Sequence, residues 1–172
     1  MKTSDSEPVL PDLLQDGLRL VFCGTAPGTV SAARKQYYAH PRNKFWRILF
    51  ETGLTPRRFE PAEYPELLGL GIGLTDIAKH VSGMDNALPR GSLGREAIQD
   101  LRDRIGRFQP GILAFTSLTG GRRFLGSDAA VGRRKAKVGS TQIWVLPSPS
   151  PAADWNWDAQ PWHALARAAR AS

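Results

Sequence analysis

The stretch VFCGTAPGTVSAARKQYYAHPRNKFW, residues 21–46, decides the fold of this chain. It opens within a short apolar run, residues 20–23, which predicts a buried strand. The run breaks at GTAPG, residues 24–28, a loop whose residues permit tight turns and close backbone approach. Tyr37 and Tyr38 follow, and then HPRN, residues 40–43, ahead of an amphipathic run. A glycine-rich loop at a strand end, an aromatic pair and a basic flank suit a pocket for a flat, polar ring.

Outward from this stretch, short apolar runs alternate with helical patterns along the whole chain. Four strands are predicted: residues 19–23, a run ending near Asp76, and residues 112–115 and 142–146. Helices are predicted over residues 44–51, 95–108 and 158–171, and a further helix follows Ser117 and ends at about residue 125. Residues 133–137 are predicted to lie in a loop. Apolar strands that alternate with helices indicate an α/β fold, with a mainly parallel four-stranded sheet and helices on both faces.

Length and composition indicate one domain over residues 1–172. Residues 1–16 are predicted to form a flexible N-terminal arm, because Pro8 and Pro11 prevent a long helix. No apolar run reaches ~18 residues, so no membrane span is predicted. The polar, acidic N-terminus does not fit a signal peptide. We expect a cytoplasmic protein that acts as a monomer, without membrane contact.

The charge of the chain favours a polyanionic partner. The net charge is +7 and the pI is near 10.1, with basic residues in clusters, and such a chain favours nucleic acid above all. Solvated basic helix faces are the alternative interpretation. Cys23 is the only cysteine, and His40, His80 and His163 are widely spaced. Since these residues match no zinc or iron–sulfur pattern, we expect no metal.

Ligands bind outside the carboxyl ends of the strands in parallel α/β sheets. The predicted strands here end in GTAPG, TDIAKH, TSLTGG and PSPSPAADW. Loops that only turn the chain do not need so many prolines and small polar residues. We therefore expect the functional site at this edge of the sheet.

The order and spacing of GTAPG, YYAHPRNKFW, GLTDIA and GSTQIWVLPSPSPA resemble the uracil-DNA glycosylase superfamily. The resemblance covers residues 18–155 and is closest to the mismatch-specific uracil/thymine-DNA glycosylase branch, with features of the hypoxanthine-DNA glycosylases. It implies a three-layer α/β/α sandwich that flips a damaged base out of DNA and hydrolyses its N-glycosidic bond. It also implies that no metal or organic cofactor takes part.

This chemistry makes definite demands on a site. Extruding the base costs a few kcal/mol. Cleavage then develops positive charge on the sugar and negative charge on the departing base, which fixed backbone N–H groups stabilise better than mobile water. The site therefore needs donors, a stacking surface, a reader of the base edge, a held water and a group that fills the vacated gap.

The resemblance assigns backbone contacts with the base to the loop over residues 24–28, in particular to Gly24, Thr25, Pro27 and Gly28. In the mismatch branch an asparagine that holds the water stands where this chain has Ala26, and alanine cannot hold water. Asn43 is the candidate replacement, because hypoxanthine glycosylases of similar pattern use the asparagine of the HPxN segment. The alternative role for Asn43 is to cap the helix that follows it.

Two side chains are expected to contact the flipped base. Tyr38 matches the aromatic residue that stacks on it, and its alternative role is that of a core aromatic with a hydrogen-bonded hydroxyl. Asp76 matches the position that faces the base edge, where it can accept a hydrogen bond from uracil N3–H or hypoxanthine N1–H. A charged carboxylate beside a departing anion slows the reaction, so Asp76 is expected to be protonated or displaced. Its alternatives are a helix cap or a pair with Lys79.

The Ser148-Pro149-Ser150-Pro151-Ala152 segment resembles the motif that clamps the flipped nucleotide and inserts a wedge. Relatives carry asparagine at the position of Ser148, a catalytic position, and leucine near Ala152. Trp155 and Trp157 are candidates to replace the wedge, or they anchor the last helix. DNA contacts are expected from the following residues: Ser31, Arg34, Arg42, Lys44, Arg134 with the loop over 133–137, Ser150, Pro151 and Ala152.

The expected substrate is uracil in duplex DNA opposite guanine, with hypoxanthine as the alternative and single-stranded DNA as a further possible partner. A catalytically weak module that binds damaged DNA is the rival class, because of Ala26. Other enzyme classes fit less well. GTAPG is not the GxGxxG of dinucleotide-binding enzymes, and neither Ser148 nor Ser150 lies in a GxSxG motif.

Overall fold

A five-stranded sheet forms the centre of the computed structural model, which describes residues 7–171. Its strands are β1 (Leu20–Gly24), β2 (Ile72–Asp76), β3 (Ile112–Phe115), β4 (Gly132–Val138) and β5 (Thr141–Val145). Their spatial order is β2-β1-β3-β5-β4. The pairs β2–β1, β1–β3 and β3–β5 are parallel, and β4 runs antiparallel to β5.

Helices cover both faces of this sheet, as the sequence predicts. They are α1 (Thr29–Arg34), α2 (Phe45–Glu51), α3 (Arg95–Phe108), α4 (Leu118–Leu125) and α5 (Gln160–Ala171). Short 3₁₀ segments span Pro61–Leu70, Asp85–Ala87, Gly126–Asp128 and Pro151–Asn156. Residues of α2 and α5 pack in one buried cluster, and residues of α3 and α4 in a second. The three-layer α/β/α fold is confirmed.

Successive side chains of β1 point alternately into these two clusters. Phe22 points into the first, where its ring lies 5.1 Å from Phe45 and 5.7 Å from Trp162. Val21 and Cys23 point into the second. Because successive side chains of a strand face opposite sides, one wholly buried strand anchors both helical layers.

The prediction of four strands is wrong, because residues 132–138 form the fifth strand instead of a loop. β4 is a basic edge strand, GRRKAKV, joined to β5 by a tight turn in which Gly139 has φ 59°. Only Gly132, Arg134 and Val138 of β4 are partly buried, so it lacks the apolar run that marks the other strands. Charged side chains are typical of sheet edges.

The predicted flexible arm is wrong for residues 7–16, which pack against the sheet. Leu13 exchanges backbone hydrogen bonds of 2.9 and 3.0 Å with Leu74 in β2. Gly73 makes room for this segment, since a Cβ there would lie 2.5 Å from the Leu13 carbonyl oxygen. Leu10 is buried, which explains why two prolines did not leave the segment loose. Residues 1–6 of the predicted arm lie outside the described residues.

Within residues 7–171, none of the helices is long and apolar enough to span a bilayer.

Candidate active site

The site lies at the topological switch point of the sheet, where the strand order reverses between β1 and β3. β1 and β3 are neighbours, but the connection from β1 leads to β2 on one side, and the connection from β3 leads through α4 to β4 and β5 on the other. Such a switch point opens a crevice outside the carboxyl ends of the two strands. Gly24 ends β1 here, and Thr116 follows β3.

Three polar side chains meet beside Gly24. A Cβ built on Gly24 would lie 2.6 Å from Asp76 Oδ1, 3.4 Å from the Tyr38 hydroxyl oxygen and 3.7 Å from Thr116 Oγ1. Glycine is therefore required by the close approach of Asp76 rather than by its backbone angles. The predicted base-binding residues Gly24, Tyr38 and Asp76 come together, and Thr116 joins them.

Asp76 has an unusual electrostatic environment. It is 3% exposed, and its Oδ2 atom is buried without a hydrogen-bond partner among the described residues. Burial raises the pKa of its carboxyl to about 6; the Lys79 ammonium opposes the rise, the Asp12 carboxylate adds to it and the Arg104 guanidinium opposes it. A buried carboxylate oxygen without a partner is costly. Asp76 neither caps a helix nor pairs with Lys79, so both alternatives are disfavoured.

Tyr38 adopts a backbone conformation that is rare for a bulky side chain, with φ 51°. Its ring stacks on Phe45 at a centroid distance of 3.9 Å and an interplanar angle of 20°. Its hydroxyl lies 3.1 Å from Thr116 Oγ1, and Thr116 in turn donates to the Cys23 carbonyl. Because a threonine hydroxyl has one proton, Tyr38 must donate to Thr116. The hydroxyl of Tyr38 is thereby satisfied without Asp76.

Asn43 lies at the start of α2 and is half-buried. Its Oδ1 accepts a 2.9 Å hydrogen bond from the Phe45 backbone N–H, so it satisfies one free donor of the helix end, as the capping alternative expects. A carboxamide oxygen has a second lone pair, and the side-chain NH2 keeps its donors. Capping therefore leaves Asn43 able to hold a water.

The HPRN segment and the SPSPA segment are joined directly. The Lys44 backbone N–H donates to the Pro149 carbonyl at 3.0 Å, which places Asn43 beside Ser148 and Ser150 in the fold. Ser148 Oγ accepts from the Ser150 N–H at 3.2 Å, and Ser150 Oγ accepts from Ala152 N–H at 3.3 Å. These turns make the predicted clamp a rigid loop.

The two tryptophans after this loop differ in environment. Trp157 is half-buried, with its ring 6.0 Å from that of Trp162 in α5, so it anchors the last helix. Trp155 is 85% exposed on the 3₁₀ segment Pro151–Asn156. Pro151 begins that segment, and the small Ala152 is exposed beside it.

The GTAPG loop is held from outside the site. Thr25 Oγ1 donates to Asp85 Oδ1 at 2.5 Å, and the Pro27 carbonyl accepts from Gly83 N–H at 2.9 Å. Ala26 packs against the apolar cluster of α3 and α4. Gly28 is exposed with open space beside its Cα, just before α1.

Two of the predicted DNA-binding residues have partners within the chain. Ser31 is only 6% exposed, and its Oγ accepts from the Ala39 N–H at 3.0 Å, so it holds the segment that follows Tyr37 and Tyr38. The ammonium of Lys44 forms an ion pair with Asp154 and lies 5.4 Å from the Trp157 ring centroid. Its charge is therefore partly neutralised within the chain.

The other predicted cations remain available. Arg34 and Arg42 are exposed on either side of the tyrosine segment. Arg134 lies on β4, half-buried, and donates to the Ala130 carbonyl at 3.4 Å. The same strand also carries three exposed cations, Arg133, Lys135 and Lys137.

Several residues near the site were not predicted from the sequence. Asp12 accepts from Thr75 at 2.6 Å and pairs with Lys79 at 2.7 Å and Arg104 at 3.4 Å. Arg104 also donates to the Asp76 carbonyl at 2.7 Å. Thr116 was predictable from the sequence, since it begins one of the four strand-end loops in which the site was expected. Asp12 was not, because its role depends on the packing of the N-terminal segment.

These features define a class: a doubly wound α/β protein with a strand-end crevice that holds a buried carboxyl group and an aromatic ring. The family model of the Uracil DNA glycosylase superfamily matches residues 11–170, and the chain belongs to this superfamily. Its fold is similar to the solution NMR structure named "putative Uracil DNA glycosylase" from Methanosarcina acetivorans, with a TM-score of 0.63 and 21% identity over 94% of this chain and 96% of that chain. Superfamily membership supports a DNA glycosylase, a hydrolase with a DNA substrate.

Proposed function

We propose that this DNA glycosylase flips uracil out of duplex DNA opposite guanine, as in the mismatch-specific branch, and hydrolyses its N-glycosidic bond to leave an abasic site. The observation that carries the proposal is the Asp76 carboxyl group. It is buried at the switch point of the sheet, beside Gly24, with one oxygen that lacks a partner among the described side chains. Once the carboxyl group turns towards the crevice, a base edge that offers an N–H would satisfy that oxygen.

The proposed mechanism uses the groups around this carboxyl. Tyr38 stacks on the base, and backbone N–H groups of residues 24–28, of which Pro27 has none, donate to the base oxygen as it gains charge. The electron pair of the glycosidic bond leaves with the base. Asn43 holds the water whose oxygen bonds to the sugar carbon and whose proton is released. Protonated Asp76 places no negative charge beside the leaving base.

Hypoxanthine is the second candidate substrate, and the pairing of Ala26 with Asn43 favours it. Ala26 packs on apolar residues and has no polar atom that could hold a water. The Asn43 carboxamide, at the start of α2, keeps a lone pair and its N–H donors for further hydrogen bonds. Uracil and hypoxanthine both present a carbonyl beside an N–H, so both fit a carboxyl reader.

A panel of oligonucleotide duplexes with uracil, hypoxanthine, thymine or xanthine tests the proposal. Abasic-site formation is measured under single-turnover conditions, with undamaged duplex as the control. We expect uracil release opposite guanine. Hypoxanthine release without uracil release would replace the first substrate by the second. Tight binding to damaged duplex without release of any base would support the binding module instead.

A further inference from the structure

A second basic surface adjoins the crevice, between α3 and α4. An open cavity of about 470 Å³ is bounded by the start of α3 and the end of α4, and its arginines are Arg95, Arg102, Arg122 and Arg123. A neighbouring cavity of about 340 Å³ shares Leu93, Gly94 and Arg123 with it and adds Arg90. We call the two together the arginine groove.

The arginine groove concentrates positive charge that the described part of the chain does not neutralise. Among the described side chains, which are those of residues 7–171 without Asp128, no carboxylate forms an ion pair with these arginines. Arg102 is held in place, since its guanidinium stacks on the Phe124 ring at 4.1 Å and donates to the Phe124 carbonyl at 3.5 Å. Like charges held close together repel one another, and a bound anion relieves the repulsion.

Backbone donors add to this surface. Gly94 lines both cavities and precedes α3, whose first turn receives no hydrogen bond from a capping side chain. The free N–H groups of a helix start favour negative charge. The carboxylate at the edge of the groove, Asp85, accepts from Thr25, and Glu96 of the first turn is exposed.

The arginine groove is continuous with the candidate active site. Asp85 lines the smaller cavity and bonds to Thr25 of the GTAPG loop. Gly83 of the same connection bonds to Pro27. A strand whose flipped nucleotide occupies the crevice can therefore continue across this connection towards Arg90 and Arg123.

We propose that the arginine groove binds backbone phosphates of the DNA strand outside the flipped nucleotide. The proposal rests on the proposed function only in that DNA is the ligand. Arginine suits this role because its planar fork binds phosphate with two donors. Phosphate contacts position a duplex without reading its sequence, so the groove would support sequence-independent search for damage.

The salt dependence of DNA binding tests the proposal. The double variant R122A/R123A is compared with R58A/R167A, which removes two exposed arginines on the opposite helical layer. Affinity for a fluorescein-labelled undamaged duplex is measured by polarisation at several salt concentrations. Each lost phosphate contact lowers the slope of log K against log salt by roughly 1. We expect a slope lower by up to about 2 for R122A/R123A and an unchanged slope for R58A/R167A.

The outcomes are distinct. An equal slope for R122A/R123A and wild type would overturn the groove as a DNA site, whatever the enzyme cleaves. Wild-type protein that does not bind duplex at all would overturn the proposed function itself. A thermal shift with inorganic pyrophosphate that R122A/R123A abolishes, together with an unchanged DNA slope, would assign the groove to a small anion and overturn the proposal. Melting curves of both double variants confirm that they fold.

Discussion

Tyr38 and Thr116 join the two halves of the crevice through a 3.1 Å contact between their side-chain oxygens. Tyr38 precedes α2 in one helical layer, whereas Thr116 precedes α4 in the other. The contact therefore links the two layers at the switch point of the sheet. It also holds Tyr38 in its left-handed conformation, which few bulky residues adopt without such support.

The variant Asn43→Ala is expected to lower the single-turnover cleavage rate by roughly 10²-fold or more, the usual scale for a positioned catalytic group. It also removes the hydrogen bond to Phe45 N–H, so a loss of about 1 kcal/mol in stability is expected as well. The two effects are measured separately, by quenched single-turnover assays and by denaturant unfolding.

Asn43→Ser is the matched control for that experiment, because serine caps a helix as well as asparagine does. Its shorter side chain keeps the cap but does not reach the water position. We expect near wild-type stability with slow cleavage. Cleavage close to the wild-type rate in Asn43→Ser would leave Asn43 with a capping role alone.

The cleavage rate is expected to rise as the pH falls through about 6, where the Asp76 carboxyl becomes protonated. Protonation removes the negative charge that opposes departure of an anionic base. Asp76→Asn, which is neutral at every pH, is expected to cleave faster than wild type at pH 7.5 and to lack this dependence. A wild-type profile and an Asp76→Asn profile of the same shape would show that another group controls the pH dependence.

Stability is expected to depend on the same group. The pKa of Asp76 rises from 3.8 to about 6 on folding, so the folded state binds the proton more tightly than the unfolded state. The resulting stabilisation is full below pH ~4 and is lost as the pH rises through about 6, an effect on the order of 3 kcal/mol. Urea unfolding of wild type and Asp76→Asn from pH 4 to 8 measures it. Parallel curves for the two proteins would contradict this linkage.

The two functions of Tyr38 are separable by substitution. Tyr38→Phe keeps the ring and loses the bond to Thr116, so it should cost about 1 kcal/mol of stability with little change in affinity for damaged DNA. Tyr38→Ala also loses the stacking surface and should weaken that affinity by roughly 1–3 kcal/mol. Equal affinities for the two variants would remove Tyr38 from base stacking.

Trp155 is expected to insert beside the vacated position in the duplex, because Ala152 is too small to fill it. Trp155→Ala should weaken binding to a duplex with an abasic-site analogue by roughly 1–3 kcal/mol and leave the melting temperature unchanged. Trp157→Ala is the contrasting variant, since it loses contact with Trp162 and should destabilise the fold. Unchanged affinity in Trp155→Ala would exclude Trp155 as the wedge.

Much of this architecture was predictable because it depends on local patterns. The strand Ile112–Phe115 and the helix Arg95–Phe108 have the predicted bounds, and α5 buries Trp162, Leu165, Ala166 and Ala169 as expected. Continuous apolar runs and helical spacing mark such elements clearly. β4 was missed because a basic edge strand needs only a partner and has no apolar run.

The candidate site was predictable in its loops and less so in its contacts. The strand-end rule placed Gly24 and Asp76 together, and the two are paired across β1 and β2. No pattern in the sequence showed that the Ser31 hydroxyl accepts a hydrogen bond from Ala39, or that Lys44 pairs with Asp154, 110 residues away. Such contacts depend on how distant segments meet, which spacing along the chain does not report.

The N-terminal segment has a consequence for solubility. β2 and β4 form the borders of the sheet, where unpaired backbone groups invite strands from other molecules. Leu13 occupies part of the border at β2, and the cations of β4 repel a like strand at the opposite border. Both edge strands are therefore poor templates for fibril growth. The N-terminal segment covers part of β2, and the positive charge of β4 repels a like strand.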